Sequence, residues 1–371
     1  MLKNGKNIDL RNIASAVGGD PKQRKGIILA KSIPAKKYGI HTGETIYSAL
    51  KKCPKLVIIP PNFTIYQDYS SKFIGVIKKY INEVEQASID ECYANYTSYE
   101  KLYGDPIKFA NKLKDEIKDT LGFTVNIGIS ENKVLAKMAS DFEKPDKVHT
   151  LFKTEITEKM WKLPIDNLFM LGRKSKEKLL SRGFKTISDI ANSDIKILEN
   201  LFGKHGKLLW QYANGIDNSE VIDINSPLKS IRSSETLPYD ILNKTNAHKE
   251  ILKLCEDVCK RLLDYNFNCS LISIEIKNTK FEKYSHQKKL DFSICSTQNI
   301  YEQSIKIFDS FWKNEPIRSI AVTVGEFNIN DYEQLNIFEE NNDDKYKNLD
   351  KAINNIRKKY NKATIKRASL L

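Results

Sequence analysis

The chain has 371 residues, of which 40% are hydrophobic and 29% charged, a balance that suits two to four folded domains and excludes a disordered or fibrous chain. The net charge of +13 points to a polyanionic partner such as nucleic acid, although a lysine-rich background composition gives the same sign. No run approaches the roughly 18 uncharged apolar residues of a membrane span, Met1–Asp9 carries no apolar signal stretch, and the six cysteines lack CxxC spacing, so the expectation is a cytoplasmic protein with free thiols and no membrane partner.

The charge is uneven: residues 1–163 hold 27 Lys+Arg against 19 Asp+Glu, whereas residues 164–227 hold 9 against 8. In chain order, Phe73, Ile74, Ile77, Tyr80, Ile81 and Val84 predict an amphipathic helix that runs into an extended stretch from Val84 to Tyr96. Asp105-Pro106 is an N-cap and first-turn pair opening a second helix through Ile107, Ala110, Leu113 and Ile117. Alternation at Phe123, Val125, Ile127 and Ile129 predicts a half-buried strand, and Val134, Leu135, Met138, Ala139 and Phe142 a helix directly after it. From Pro164 to about Ser226, Gly172, Gly183, Gly203 and Gly206 punctuate short helices, which predicts a small helical domain. Beyond Ser226-Pro227, a helix over Ala247–Tyr265 and strands that turn Ile272, Ile274 and Ile276, then Ile320, Val322 and Val324, inward predict a further α+β domain. An acidic break (Glu339–Asp344) and a basic helix (Leu349–Tyr360) follow.

Four stretches could carry chemistry. Asp90 and Glu91 are adjacent acids inside Ala87–Tyr93, which reads as extended; neighbouring strand residues face opposite ways, so both could serve one Mg²⁺ only where the strand bends. The alternative is that one acid faces solvent and the other pairs with a lysine. Asn132-Lys133-Val134-Leu135-Ala136-Lys137 opens a helix, and Lys144-Pro145 follows it, placing cations where a phosphate could be held or, equally, along a solvated face. Gly172 opening the basic run Arg173-Lys174-Ser175-Lys176, with Gly203 and Gly206 as a second copy, offers backbone N–H groups to phosphate or a plain helix-packing turn. Gln334-Leu335-Asn336-Ile337-Phe338 sets apolar side chains in a polar tail, as a docking peptide does, with docking onto its own domain as the alternative. Cys255 and Cys259 share a helix face, yet no second Cys or His pair has ligand spacing, and no His-based hydrolase pattern occurs.

Taken together, these stretches resemble the Y-family translesion DNA polymerases of the bacterial DNA polymerase IV type. The resemblance rests on Ala16-Val17-Gly18-Gly19-Asp20-Pro21, Ala35-Lys36-Lys37-Tyr38-Gly39-Ile40, Cys53-Pro54 with Pro60-Pro61, and Ser88-Ile89-Asp90-Glu91. It continues through Gly128-Ile129-Ser130-Glu131-Asn132-Lys133 to Lys137, Ala139-Ser140-Asp141 and Lys144-Pro145. It implies an α+β multidomain right hand: fingers at 1–62, a mixed α/β palm at 63–163, a helix-hairpin-helix thumb at 164–227, an α+β little finger at 228–332, and a tail at 333–371. It further implies a monomer that extends a primer on template DNA from deoxynucleoside triphosphates. Asp90 and Glu91 would be the catalytic acids holding two Mg²⁺ ions. Lys144 would bind nucleotide phosphates, Lys36 would stand where the family has an arginine on the triphosphate, Gly172, Lys174 and Gly203 would grip DNA, and Gln334, Leu335, Ile337 and Phe338 would bind the sliding clamp, its β subunit.

The departures from the family pattern are specific. Family members begin with a palm strand bearing Asp-x-Asp or Asp-x-Asn and an aromatic pair; here Asp9-Leu10-Arg11 already aligns with the segment after it. The expectation is that Met1 is an internal methionine of a longer, active product. The alternatives are an inactive remnant that binds only DNA and clamp, or substitution by a carboxylate such as Asp20 or Asp141. Ile33 and Ala30 also replace a triphosphate-binding tyrosine and a threonine.

Overall fold

The computed structural model describes residues 9–20, 26–222, 228–328, 343–360 and 365–370. The chain divides into two compact units, one made of Met1–Pro61 with Ser226–Leu371 and the other of Asn62–Asn225.

In residues 9–61, β1 (Ser15–Gly18), β2 (Ile28–Lys31), α1 (Ile33–Lys37), α2 (Ile46–Lys52) and β3 (Val57–Ile59) follow one another. The sheet order is β2-β1-β3, with β1 antiparallel to β2 and parallel to β3. Ile28, Ala35, Ile40, Ile46 and Ala49 close a small core over it. Side-chain caps start both helices: Ser32 accepts from the Ala35 N–H and Thr45 from the Ser48 N–H. Glu44 ties the segment together, accepting from Lys52 Nζ at 2.8 Å, the His41 N–H at 2.6 Å and Ser48 Oγ at 2.9 Å. The Lys52 bond, followed by the His41 amide, brings its carboxyl down to about 2.

The second unit begins with α3 (Phe63–Lys78), β4 (Val84–Gln86), β5 (Cys92–Ala94), α4 (Glu100–Tyr103), α5 (Pro106–Leu121), β6 (Ile127–Ile129), α6 (Lys133–Ser140) and β7 (Val148–Thr150). The short helices α7 (Arg173–Leu180), α8 (Ile187–Ala191), α9 (Ile195–Phe202) and α10 (Lys204–Ala213) follow. β4 and β5 pair antiparallel, β6 and β7 parallel, and among the described residues these are separate two-stranded sheets. Asp105 caps α5 as its sequence predicts, accepting from the Lys108 N–H at 2.8 Å.

Three expected elements differ. The first helix starts ten residues earlier, where Asn62 accepts from the Ile65 N–H, and it ends at Lys78; Ile81 and Val84 are buried but not helical, because the core needs their side chains and not their periodicity. The extended stretch from Val84 to Tyr96 is two strands separated by a turn over residues 87–91. The strand expected from Phe123 is regular only from Ile127, since its partner β7 begins at Val148, opposite Ile127. Just ahead of that point Asn126 pins the backbone, donating to Ser140 O and Glu143 O and accepting from the Lys147 N–H.

One core runs from α6 to α10, with Leu135, Leu151, Met160, Ile187, Ile190, Leu198 and Leu209 buried together. The helical region is therefore not an appendage: it shares its apolar interior with the helix that follows β6. Gly206 permits this packing, because a Cβ there would lie 1.9 Å from Leu198 O.

Residues 228–370 form β8 (Ser230–Ile241), α11 (Lys244–Tyr265), β9 (Asn268–Asn278), β10 (Lys283–Ile294), α12 (Thr297–Phe311), β11 (Ile317–Asn328) and α13 (Asp343–Tyr360). The antiparallel sheet has the order β10-β9-β11-β8. Ile272, Ile274, Ile276, Ile320, Val322 and Val324 are buried in one core with apolar residues of α11 and α12, as the alternation predicts. The basic helix begins at Asp343, six residues before Leu349. It docks through a polar contact that apolar periodicity does not report: Asp350, 5% exposed, accepts from the Thr297 N–H at 2.7 Å and from Arg367 at 2.8 Å. Among the described residues no helix is long and apolar enough to cross a membrane.

Candidate active site

The adjacent acids lie in the turn between β4 and β5. Glu91 O accepts from the N–H groups of both Ala87 and Ser88, at 3.0 and 3.1 Å, which closes the turn. Ser88 competes locally with strand pairing: its Oγ donates to Asp90 Oδ1 at 2.7 Å and accepts from the Asp90 N–H at 3.3 Å. The expected continuous strand is thus broken where the two carboxylates sit, which removes the opposite-face restriction a flat strand would impose.

Asp90 is exposed. Glu91 Oε1 lies 2.7 Å from Lys137 Nζ on α6, so one acid faces solvent and the other is paired. The pairing continues as an alternating chain, Lys137 to Asp141 at 3.0 Å and Asp141 to Lys144 at 2.6 Å. Helix α6 sets this geometry because Val134, Leu135, Met138 and Ala139 bury one face and leave Lys137 on the other. Burial works to lower the Lys137 ammonium, but its bonds to Glu91 and Asp141 outweigh that and raise it. Burial works to raise Asp141, and the lysine bonds from Lys144 and Lys137 hold it below its usual range. Both stay charged through neutral pH.

The donor chemistry fits Mg²⁺, which takes hard oxygen ligands and commonly uses one or two carboxylates together with substrate phosphates and water. Asp90 and Glu91 supply two such carboxylates. Among the described residues there is no cluster of three or more His, Cys, Asp or Glu side chains suited to a metal.

Gly172 and Gly203 each stand directly before a helix, α7 and α10, and neither helix start has a side-chain cap. The leading N–H groups of these helices are therefore left for other acceptors. Lys174 is exposed on the first turn of α7, and Gly203 has a positive φ of 61° between α9 and α10.

Comparison with known proteins decides the family. Residues 2–141 match the impB/mucB/samB family model and residues 228–337 match the model of that family's C-terminal domain. The chain is 44% identical over 371 residues, covering 100% of itself and 93% of the relative, to a protein named DNA polymerase IV from Clostridium acetobutylicum. It is 34% identical over 368 residues, 98% of this chain and 92% of the relative, to a DNA polymerase IV from Acetivibrio thermocellus. The chain belongs to the DNA polymerase IV family. Its fold matches that of a Y-family DNA polymerase chimera built from Dbh and Dpo4 with a TM-score of 0.75 at 24% identity, covering 86% of this chain and 93% of the chimera. The fold is accordingly the α+β multidomain fold of the Y-family polymerases expected from the sequence.

Within this DNA polymerase IV family member, the structure brings Glu91 and Lys144 into one charged chain through Lys137 and Asp141, with Asp90 beside Glu91 in the turn and bonded to Ser88. Gly172, Lys174 and Gly203 belong to the same unit, on the helical segment. Lys36 is exposed in the last turn of α1, in the other unit. Gln334, Leu335, Ile337 and Phe338 lie outside the described residues. Sequence reading missed that Lys137 and Asp141 link Glu91 to Lys144. The Lys137 and Asp141 pair was findable, since it is spaced i,i+4 on a helix end; the Glu91 contact, 46 positions away, was not.

Proposed function

We propose that the chain is a DNA-templated DNA polymerase of the translesion, damage-tolerance type, adding deoxynucleotides to a primer 3′ end. The observation that carries this reading beyond family membership is the solvent-facing Asp90–Glu91 turn held beside a chain of lysines. When bound there, Mg²⁺ ions would activate the primer hydroxyl and neutralise the triphosphate. Asp90 and Glu91 hold them. Lys144 attracts triphosphate oxygens, and Lys36 is the nucleotide-binding residue proposed for the 1–62 fingers region. Lys137 holds Glu91 in place. The uncapped helix starts at Gly172 and Gly203, with Lys174, take template and primer phosphates without base preference, so sequence-neutral grip belongs to the 164–227 thumb. Gln334, Leu335, Ile337 and Phe338 dock in the sliding clamp, which raises the local concentration of a weakly held enzyme on its DNA. The protein acts as a monomer in this scheme, with residues 63–163 as palm and 228–332 as little finger.

The test is primer extension with Mg²⁺ and all four deoxynucleotides, run beside a DNA-binding titration. Asp90→Ala is expected to abolish incorporation while leaving primer-template affinity near the parent value. An unchanged rate refutes the site. Leu335→Ala with Phe338→Ala is expected to abolish clamp binding alone, and unchanged clamp affinity removes that assignment.

A further inference from the structure

The chain leaving α10 does not run freely into solvent. It crosses the start of α6 and is fastened there residue by residue. Asn132, which caps α6 by accepting from the Leu135 N–H at 2.9 Å, also donates from Nδ2 to Gly215 O at 2.9 Å. Asp217 Oδ2 accepts from the Val134 N–H at 3.2 Å, placing an anion at a helix N-terminus. Glu85 on β4 accepts from Lys133 Nζ at 2.8 and 3.1 Å and from the Ile222 N–H at 3.1 Å. The Glu85 and Lys133 side chains are only 11% and 16% exposed, and Lys133 Nζ lies 5.5 Å over the Tyr93 ring of β5. One turn further along α6, Lys137 holds Glu91.

The same short helix therefore grips the exit of the helical region at its start and the catalytic turn at its middle. Surface ion pairs contribute little and tolerate loss; a pair this enclosed, with a backbone amide also bound to the acid, leaves an uncompensated charge when one partner is removed. Such a contact fixes a relative position.

We propose that Glu85, Lys133, Asn132 and Asp217 are positioning residues, a clasp that fixes the DNA-gripping helical region relative to the Asp90–Glu91 turn. The clasp rests on the polymerase reading for the identity of what is gripped.

Charge arithmetic gives a discriminating test. Glu85→Gln removes a negative charge, and on electrostatics alone it tightens binding to DNA. The clasp requires the reverse: primer-template affinity, measured by fluorescence anisotropy on the full chain, weakens about tenfold, the scale of breaking an enclosed charged contact. Lys133→Met behaves likewise, and Lys133→Arg keeps affinity within about twofold. Amide hydrogen exchange on the same proteins supplies a second readout. Glu85→Gln is expected to speed exchange at Val134, whose amide Glu85 does not touch, as well as at Ile222; a merely local contact moves Ile222 alone. Unchanged or tighter DNA binding by Glu85→Gln, or an unmoved Val134, overturns the clasp. If the parent chain itself fails to bind primer-template DNA, the polymerase reading falls, and exchange at Val134 decides the clasp alone. Asp217→Asn, which keeps its shape, serves where Glu85→Gln does not fold.

Discussion

At Gly215 the exit segment packs against buried Leu135 and Ile156, and its replacement by alanine has a magnitude that can be worked out. Its φ is +66°, a conformation that costs an L-residue about 1–2 kcal/mol. The added methyl would also meet Ile156 Cδ1 at 2.4 Å and the Leu135 Cδ atoms at 3.2 and 3.3 Å. Leu135 is fully buried and Ile156 is 6% exposed, so neither can swing into solvent, and overpacking of this kind costs about 1–3 kcal/mol. The sum is about 2–5 kcal/mol. For a unit spanning Asn62–Asn225, each kcal/mol moves the melting temperature by about 2–4 °C, so the mid-range loss corresponds to a drop of roughly 7–14 °C in its thermal transition. Adding Ile156→Val removes the closest atom and is expected to return about 1 kcal/mol net, after its own small cavity term, while the backbone term stays. A Gly215→Ala transition within 2 °C of the parent (below the ~4 °C of the smallest sum), or an Ile156→Val addition that only destabilises further, would refute the reasoning.

Three further outcomes are expected. Gly128→Ala puts a Cβ 1.9 Å from Ala136 O and 2.6 Å from Ser140 N, and since these are backbone atoms the change should abolish folding of the unit; a near-parental circular dichroism melt counts against the β6–α6 packing. Burial pushes the Cys92 and Cys255 thiols up to about 12 and holds Cys259 well above the ordinary thiol range, so at pH 8 the native chain should react slowly with a disulfide reagent while unfolding in urea releases all six thiols, and prompt native labelling contradicts this. Glu44, with a folded value of about 2 against an ordinary value of roughly 4.3, contributes stability that is fully present above about pH 4.3 and lost as pH falls through about 2. The stability gap between the parent and Glu44→Gln should accordingly stay flat from neutral pH to about 5 and close in acid, and a gap that grows on acidification excludes the Lys52 and His41 bonds as its cause.

What could be read from the sequence followed from where each signal is local. Asp105-Pro106 capping a helix, the inward isoleucines of β9 and the glycines before α7 and α10 all act within a turn or a strand of themselves, and each was legible. The Asp90–Glu91 pair was legible as adjacent acids but misplaced as structure, because the Ser88 and Glu91 bonds that break the strand look no different in sequence from a strand that continues. The clasp was not legible: Glu85 meets Lys133 across 48 positions and Ile222 across 137, and no local pattern encodes a partner so distant. The docking of α13 escaped for a different reason, since its anchor is a buried aspartate and apolar patterning looks past charged residues.

That anchor bears on how the protein comes off the ribosome. Glu256 on α11 is held by Arg357 and Arg367, and Arg367 reaches it across 111 positions while also binding Asp350. The sheet and helices of the 228–328 region can assemble as they emerge, yet Glu256 and the Thr297 N–H wait for Arg357, Arg367 and Asp350 until residues 350–367 are synthesised. Domains usually fold as units during synthesis; here a late latch completes an early domain. A nascent chain stalled before residue 343 would therefore present Glu256 of α11 and the Thr297 N–H of α12 without the partners that α13 and Arg367 bring, a surface open to chaperones until those residues arrive.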